Sequence, residues 1–321
     1  MHADTVTQDR LVTKPGFLLV CFFLSSVGFF FAGLGEGFFG HLLAPVSGDP
    51  ETSGNFGDFA VAVTLAALFT ANIVALSFVP WVVQVILVWL ELLALFLLFF
   101  YSFDLSIEFI EEKIWFMISR GLFTTIYVSA ISIVIATTIA VIGAIAKLSS
   151  NGFAFAIASF YTSFFRGLPL LMQVYLIYLG LPQLGYVVDA VPAGILALSL
   201  CYGAYMTEIF RAGIESIHKG QWEAARALGF RFPATMRKII LPQAIPIIIP
   251  PTGNQFIAML KDSSLVSVIG VWELMFLART LGQKDFRHLE MLITASLIYW
   301  GLTVVLEVIQ ARIEQHYRQK K

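Results

Sequence analysis

Three clusters of polar side chains lie in or beside long apolar runs, where such groups need a partner or a task. Glu208 and Arg211 stand three residues apart, so on a helix they share one face. Glu208 so placed either receives an ammonium group from a solute or pairs with its own arginine at the interface. Lys261-Asp262-Ser263-Ser264 follows one apolar run and precedes a shorter one. Asp262 or Ser263 caps the short helix, or that helix N-terminus and the serine hydroxyls receive a carboxylate, as broken membrane helices do. Gln173 and Tyr178 form the third cluster, suited to solute contact or to hydrogen bonds between helices. Binding of a small charged solute is the chemistry open to these residues.

Other chemistries are excluded by what the chain lacks. No G-x-x-x-x-G-K-S/T run exists to cradle nucleotide phosphates, and no H-E-x-x-H or nucleophile elbow is present. The five His, at positions 2, 41, 218, 288 and 316, are scattered, so neither a metal site nor a catalytic residue is expected. Cys21 and Cys201 sit inside apolar runs and suggest neither a disulfide nor zinc. The basic stretch lies between apolar runs, which argues against nucleic acid.

The elements that must position these clusters are membrane helices. Hydrophobic residues make up 58% of the 321 and charged residues 13%, with mean hydropathy +0.84, which excludes an ordinary soluble domain. Thirty Phe and several runs of roughly 20 uncharged residues imply an all-α, polytopic helical membrane protein. The polar start, His2 to Lys14 with Arg10 and Lys14, anchors a first span over Phe17–Gly35, too long and without the cleavage site of a signal peptide. Residues 40–58 hold Asp49, Glu51 and Asp58 without Lys or Arg, and read as an outside loop. Phe59–Val79 and Trp81–Phe103 are two spans with a tight turn at Pro80, or one kinked helix with an interfacial piece. Asp104–Lys113 is acidic, amphipathic and outside.

Gly121–Ala146 is the next span, ending at Lys147. Phe153–Phe164 is expected partly at the inner interface, with Arg166 snorkelling and Pro169 in the first turn of another span. Ala190–Thr207 leads inward, Ile239–Leu260 returns outward, and Ser263–Trp272 is too short to cross and reads as half of a broken element. Arg279, Lys284 and Arg287 fall outside, balanced by Asp285 and Glu290. Met291–Leu306 is the last span, with Arg312, Arg318, Lys320 and Lys321 behind it. The expectation is about eight transmembrane helices with both termini cytoplasmic.

The longest polar interlude runs from Arg211 to Lys238, with six Arg or Lys against Glu215 and Glu223. Within it, Gln221–Leu228 is rich in helix formers, Gly229 can end that helix in a left-handed cap, and Pro233 blocks continuation. The letters Glu223-Ala224-Ala225, Gly229 and, after nine residues, Ile239-Ile240-Leu241-Pro242 resemble the cytoplasmic loop signature of ABC importer permeases. Phe165-Arg166-Gly167-Leu168-Pro169-Leu170-Leu171-Met172-Gln173, then Tyr178-Leu179-Gly180-Leu181-Pro182, resembles the matching run of the polar amino-acid uptake members. Lys261-Asp262-Ser263-Ser264-Leu265 is similar to a third run of that family. The resemblance covers residues 115–318.

The resemblance implies a five-helix ABC importer permease core over residues 115–321, with a cytoplasmic coupling loop at 211–240. Residues 1–114 are then an N-terminal extension with three spans, whose role composition does not reveal. Glu223, Ala224, Ala225, Gly229, Leu241 and Pro242 would couple the 221–242 loop to separate ABC ATPase subunits, which bind ATP and Mg; this chain would hold no cofactor and be no enzyme. Further implied partners are an extracytoplasmic solute-binding protein, a second permease subunit in a homo- or heterodimer, and an amino-acid substrate. The implied location is the lipid bilayer of a bacterial cytoplasmic (inner) membrane. An ATP-independent secondary amino-acid carrier would explain the spans but not the loop; a membrane scaffold subunit could retain both.

Overall fold

The computed structural model describes residues 14–34, 38–47, 50–101 and 105–318. Arg10, Asp49, Asp104, Lys320 and Lys321, to which the sequence assigns sides of the membrane, lie outside the described residues. The chain divides into two compact units, Met1–Leu105 and Ser106–Lys321. Both are helical, with no strand among the described residues.

The first unit contains α1 (Pro15–Phe31), α2 (Phe38–Ser47), α3 (Pro50–Ser77) and α4 (Trp81–Tyr101). Part of the expected outside loop is thus helical. The apolar run Phe38–Ser47 coils into α2, and α3 begins at Pro50 with a break at Gly54 (φ 53°, ψ −151°). Helices α1 and α3 pack through edge-on rings, Phe29 on Phe69 at 6.3 Å and Phe30 on Phe59 at 6.4 Å. Pro80 parts α3 from α4. Helix α4 is apolar apart from Gln84 and Glu91, and none of residues 81–98 is buried. Its Glu91 accepts a hydrogen bond from Asn72 Nδ2 at 2.8 Å.

In the second unit α5 (Ile107–Phe116) passes through a π-helical turn, Met117–Leu122, into α6 (Phe123–Leu148). Next come α7 (Gly152–Gly167), α8 (Leu170–Tyr175) and α9 (Leu181–Gln183), with a second π turn at Leu176–Gly180. Helix α10 (Ala190–Glu215) leads to the short α11 (Lys219–Ala227) and α12 (Phe232–Thr235). After a third π turn, Met236–Ile240, α13 (Leu241–Asp262) ends in a 3-10 stretch, Ser263–Ile269. Two further helices, α14 (Leu274–Lys284) and α15 (His288–Arg318), complete the unit.

Helices α6 and α10 form the centre of this unit because both present small residues at four-residue spacing. Ser132, Ala136, Ala140 and Ala144 of α6 are buried, as are Ala193, Ala197 and Cys201 of α10. Lipid offers apolar surface as good as a neighbouring helix, so close backbone approach and van der Waals contact must drive this pairing. At Gly143 the approach is tightest, since a Cβ there would lie 2.5 Å from Thr207 Oγ1. Helix α13 carries Pro246, Pro250 and Pro251 within its length. Beside these prolines Thr252 Oγ1 donates to the Ile248 carbonyl at 2.8 Å, and Gln310 Nε2 of α15 to that of Pro250 at 3.2 Å.

Among the described residues six stretches are long and apolar enough to cross a bilayer: residues 54–77, 81–98, 107–148, 190–215, 232–269 and 288–317. The bent pair Gly152–Gly167 and Leu170–Gln183 raises the number to seven if it counts as one span. The remaining expected span corresponds to α1, whose 17 residues sit at the short end of what crosses a bilayer. Within Ser263–Trp272, expected as half of a broken element, Ser263–Ile269 forms a 3-10 stretch that continues from α13 and is closed by left-handed Gly270 (φ 86°). Helix α14, which follows it, had no counterpart in the sequence reading.

Candidate functional site

The bend after α7 builds a cavity lined by polar side chains. Asn151 caps the start of α7, its side chain accepting from Phe153 N at 2.9 Å and Ala154 N at 3.2 Å. The helix must stop before Pro169, which forces Leu168 out of the helical region, to φ −95° and ψ 140°. Helices α7 and α8–α9 therefore meet at 107°. The turn frees the Phe165 and Leu168 carbonyls, and the buried Gln173 Nε2 donates to both, at 2.8 and 2.9 Å. Tyr161 ties α7 to α10, its hydroxyl donating to the Leu200 carbonyl at 2.6 Å.

A cavity of about 430 Å³ lies inside this bend, lined by Arg166, Tyr202, Tyr205, Gln255 and Asp262 together with Cys201 and the Gly167–Leu170 turn. Arg166 extends over the Tyr205 ring, with its guanidinium carbon 5.4 Å from the centroid. Tyr202 donates its hydroxyl to Asp262 Oδ2 at 2.7 Å. Tyr202 and Tyr205 share a face of α10 at i,i+3, and Gln255 and Asp262 share one of α13 at i,i+7. Five separated positions thus converge on one space. Neither Arg166 nor Asp262 makes a salt bridge among the described residues, so the cavity offers one cation and one carboxylate to a guest.

Of the residues expected from the sequence to line a pathway, Asp262 alone lines this cavity. Glu208 is held in a separate network: Lys147 Nζ binds Oε1, and Arg211 Nε and Nη2 each bind Oε2 at 2.9 Å. Arg211 also reaches Glu215 at 2.5 Å, and Lys147 donates to Thr162 Oγ1 at 3.2 Å. Gln173 braces the bend from below rather than lining the space. Tyr178 packs on the core of α10, and Lys261 is exposed. Ser263 is buried and donates to the Leu260 carbonyl at 2.6 Å, while the half-buried Ser264 lies in the 3-10 turn. Asp262 precedes that turn without capping it, its carboxylate turned to Tyr202. Tyr202, Tyr205 and Gln255 are not among the candidates the sequence offers, and Arg166, expected from it to snorkel at the inner interface, lines the cavity. Gln255 carries a signal of its own, standing seven residues before Asp262 and so on the same helix face.

The second candidate region is the α11–α12 loop. His218 Nδ1 accepts from Gly220 N at 3.1 Å and starts α11. At the other end Gly229 N bonds the Arg226 carbonyl at 2.9 Å and Phe230 N that of Ala225 at 3.0 Å, around Gly229 at φ 76°. This is the Schellman pattern, and it requires the left-handed conformation that glycine adopts freely. Pro233 does not merely block continuation; it opens α12 near its N-terminus. Buried Ala225, with Trp222 packed against Ile214, Ile217 and Ile240, anchors α11 to the bundle. Leu241 packs on the same cluster, and Pro242 lies exposed in the first turn of α13. Glu223, Ala224, Arg226 and Leu228 remain on the exposed side, Leu228 at 75%.

A third acidic residue, Glu273, sits between the crossing segments. It caps α14, accepting from Met275 N at 2.9 Å and Phe276 N at 2.7 Å, and from the Tyr299 hydroxyl at 2.6 Å. Full burial without a cation pushes its carboxyl up to about 7, although these three donors favour the charged form.

The chain is similar to transport proteins of known kind. The probable amino-acid ABC transporter permease protein YckA of Bacillus subtilis (strain 168) is 38% identical over 198 residues, covering 62% of this chain and 88% of the relative. The arginine transport system permease protein ArtQ of the same strain is 41% identical over 199 residues, covering 62% and 91%. A crystal structure of an amino acid ABC transporter with histidines superposes with TM-score 0.61 at 36% identity, over 66% of this chain and 100% of that one. Residues 139–319 match the family described as binding-protein-dependent transport system inner membrane component. The chain belongs to this family, as a multi-pass transport subunit of the inner membrane.

Proposed function

We propose that this chain is the permease subunit of an ATP-driven importer for polar amino acids, and that the bend cavity is its substrate site. The observation carrying this reading is the pair of open charges in the cavity, Arg166 and Asp262. An α-amino acid presents one carboxylate and one ammonium at fixed separation. Guanidinium suits the carboxylate because its planar fork donates two parallel hydrogen bonds. Asp262, oriented by Tyr202, receives the ammonium, and Gln255 offers an amide to a polar side chain. Relatives whose names specify amino acids or arginine agree with that class of substrate.

Transport through such a site needs an energy source, and α11 is shaped to receive one. Its inner side is fixed by Trp222 and Ala225, while Glu223, Ala224 and Leu228 face outward. A separate ATPase docking there would move the α10 and α13 ends that flank the loop, with Gly229 holding the helix end in register. A solute-binding protein would deliver the amino acid to the opposite face, and a second permease subunit would close the pathway. Both termini would be cytoplasmic. The test is reconstitution of the chain in vesicles with its ATPase and binding protein. Loaded binding protein should raise ATP hydrolysis and drive uptake, and Gly229→Leu should abolish uptake while membrane insertion persists. Uptake without any ATPase would mark a secondary carrier, and undiminished uptake by Gly229→Leu would remove the coupling role of the loop.

A further inference from the structure

A second, larger cavity of about 1,100 Å³ opens among α6, α10, α13 and α15, at the end of the bundle that carries the α11–α12 loop. Its walls are apolar, with Ile145, Ile245, Ile249, Phe256, Leu306 and Ile309 prominent. No charged side chain among the described residues lines it, and Ser149, Ser150, Thr252 and Gln310 supply the little polarity it has. It exceeds the roughly 300–1,000 Å³ of ordinary ligand pockets, and it shares no residue with the bend cavity. An apolar space of this size does not hold water well. In a helix bundle whose solvent is hydrocarbon, an acyl chain is the matching occupant.

The rim says which lipid. Phe232, Pro233 and Met236 line one side and Ile313 another. Adjoining them in sequence are Arg231, Arg237, Lys238 and Arg312, all exposed and none in a salt bridge among the described residues. Four exposed cations thus lie within two residues, along the chain, of side chains that line an uncharged cavity. Basic clusters beside membrane helices bind anionic head groups. We propose that this cavity holds an acyl chain of an anionic phospholipid whose phosphate is gathered by Arg231, Arg237, Lys238 and Arg312. The lipid would wedge α13 and α15 apart next to the α11–α12 loop. The proposal is independent of which solute occupies the bend cavity.

The test uses the full chain purified in detergent, mixed with phosphatidylglycerol or with phosphatidylcholine of identical acyl chains, and examined by native mass spectrometry. The unaltered protein should retain phosphatidylglycerol in preference to phosphatidylcholine. Removing the rim cations by Arg231→Gln, Arg237→Gln, Lys238→Gln and Arg312→Gln should erase that preference, at about fivefold per cation. Ile245→Trp, which fills the cavity, should lower retention of both lipids. The rim residues are exposed, so the head-group result stands even if the tryptophan variant proves unstable. Equal retention of the two lipids by the unaltered protein overturns the proposal. So does undiminished retention by Ile245→Trp, or a change in chain-to-chain association by that variant with lipid retention intact, which would assign the cavity to a second copy.

Discussion

Two charged clusters in the second unit use the same residue types to opposite ends. In one, Glu208 has both oxygens engaged, by Lys147 and by Arg211, and the side chains are only 13–30% exposed. In the other, Arg166 lies over an aromatic face and Asp262 accepts one phenol, with the cavity between them open. With three donors from two cations on its oxygens, Glu208 ties α6 to α10. A carboxylate with one neutral donor keeps free lone pairs. Charge within a membrane protein therefore marks a site only where it is left incomplete.

Emptying the open cluster should have the largest effect, and on transport rather than on folding. Asp262→Ala is expected to cut amino-acid uptake about a hundredfold, the loss of about 3 kcal/mol for a charge-assisted contact. Arg166→Gln should follow closely. Uptake measured in vesicles containing the complete transporter checks both, and a drop in melting temperature with unchanged uptake per folded protein would reverse the contrast.

Breaking the closed cluster should instead cost stability. Glu208→Ala strands Lys147 and leaves Arg211 with Glu215 alone, and partial exposure reduces the 3–5 kcal/mol of a fully buried case to about 2 kcal/mol. Adding Lys147→Met should restore part of it, so a thermal-unfolding cycle over the two single variants and the double variant reads the coupling. Additive losses would mean that the two side chains do not support one another.

Glu273 sharpens the comparison from a third side, being buried against neutral donors only. Its folded carboxyl holds a proton more tightly than the ordinary value of 4.5. The stability it adds is therefore complete below pH 4.5 and lost as pH rises through about 7. Between pH 6 and 8 the protein should lose about 1 kcal/mol at this site. Glu273→Gln should flatten that slope in a pH series of melting curves, and an unchanged slope would place the titration elsewhere.

Much of the fold was legible because the bilayer makes a simple demand. A crossing helix needs about 20 apolar residues, and Pro80, Gly229 and Pro233 punctuate the chain by backbone chemistry that neighbours do not alter. Helix α14 was not legible, since 11 residues mixing Leu, Arg and Lys carry no length signal of their own. The Gly40–Asp58 stretch misled because its acidic residues signal sidedness, which says nothing against a helix there. Glu208 with Arg211 was recognisable as a pair from spacing alone; that Lys147 completes it depends on α6 lying against α10.

The sequence by itself therefore determined the membrane class, most of the crossing segments and the capped loop, all of which follow from local pattern and solvent. Only the tertiary structure decided which charges stay open. Arg166 comes from the end of α7, Tyr202 from α10 and Asp262 from the end of α13, and no local rule relates such distant positions. They meet because Pro169 forces a bend that Gln173 braces, and because small residues let α6 and α10 approach closely. Whether a membrane charge is closed or open depends on distances set by that packing.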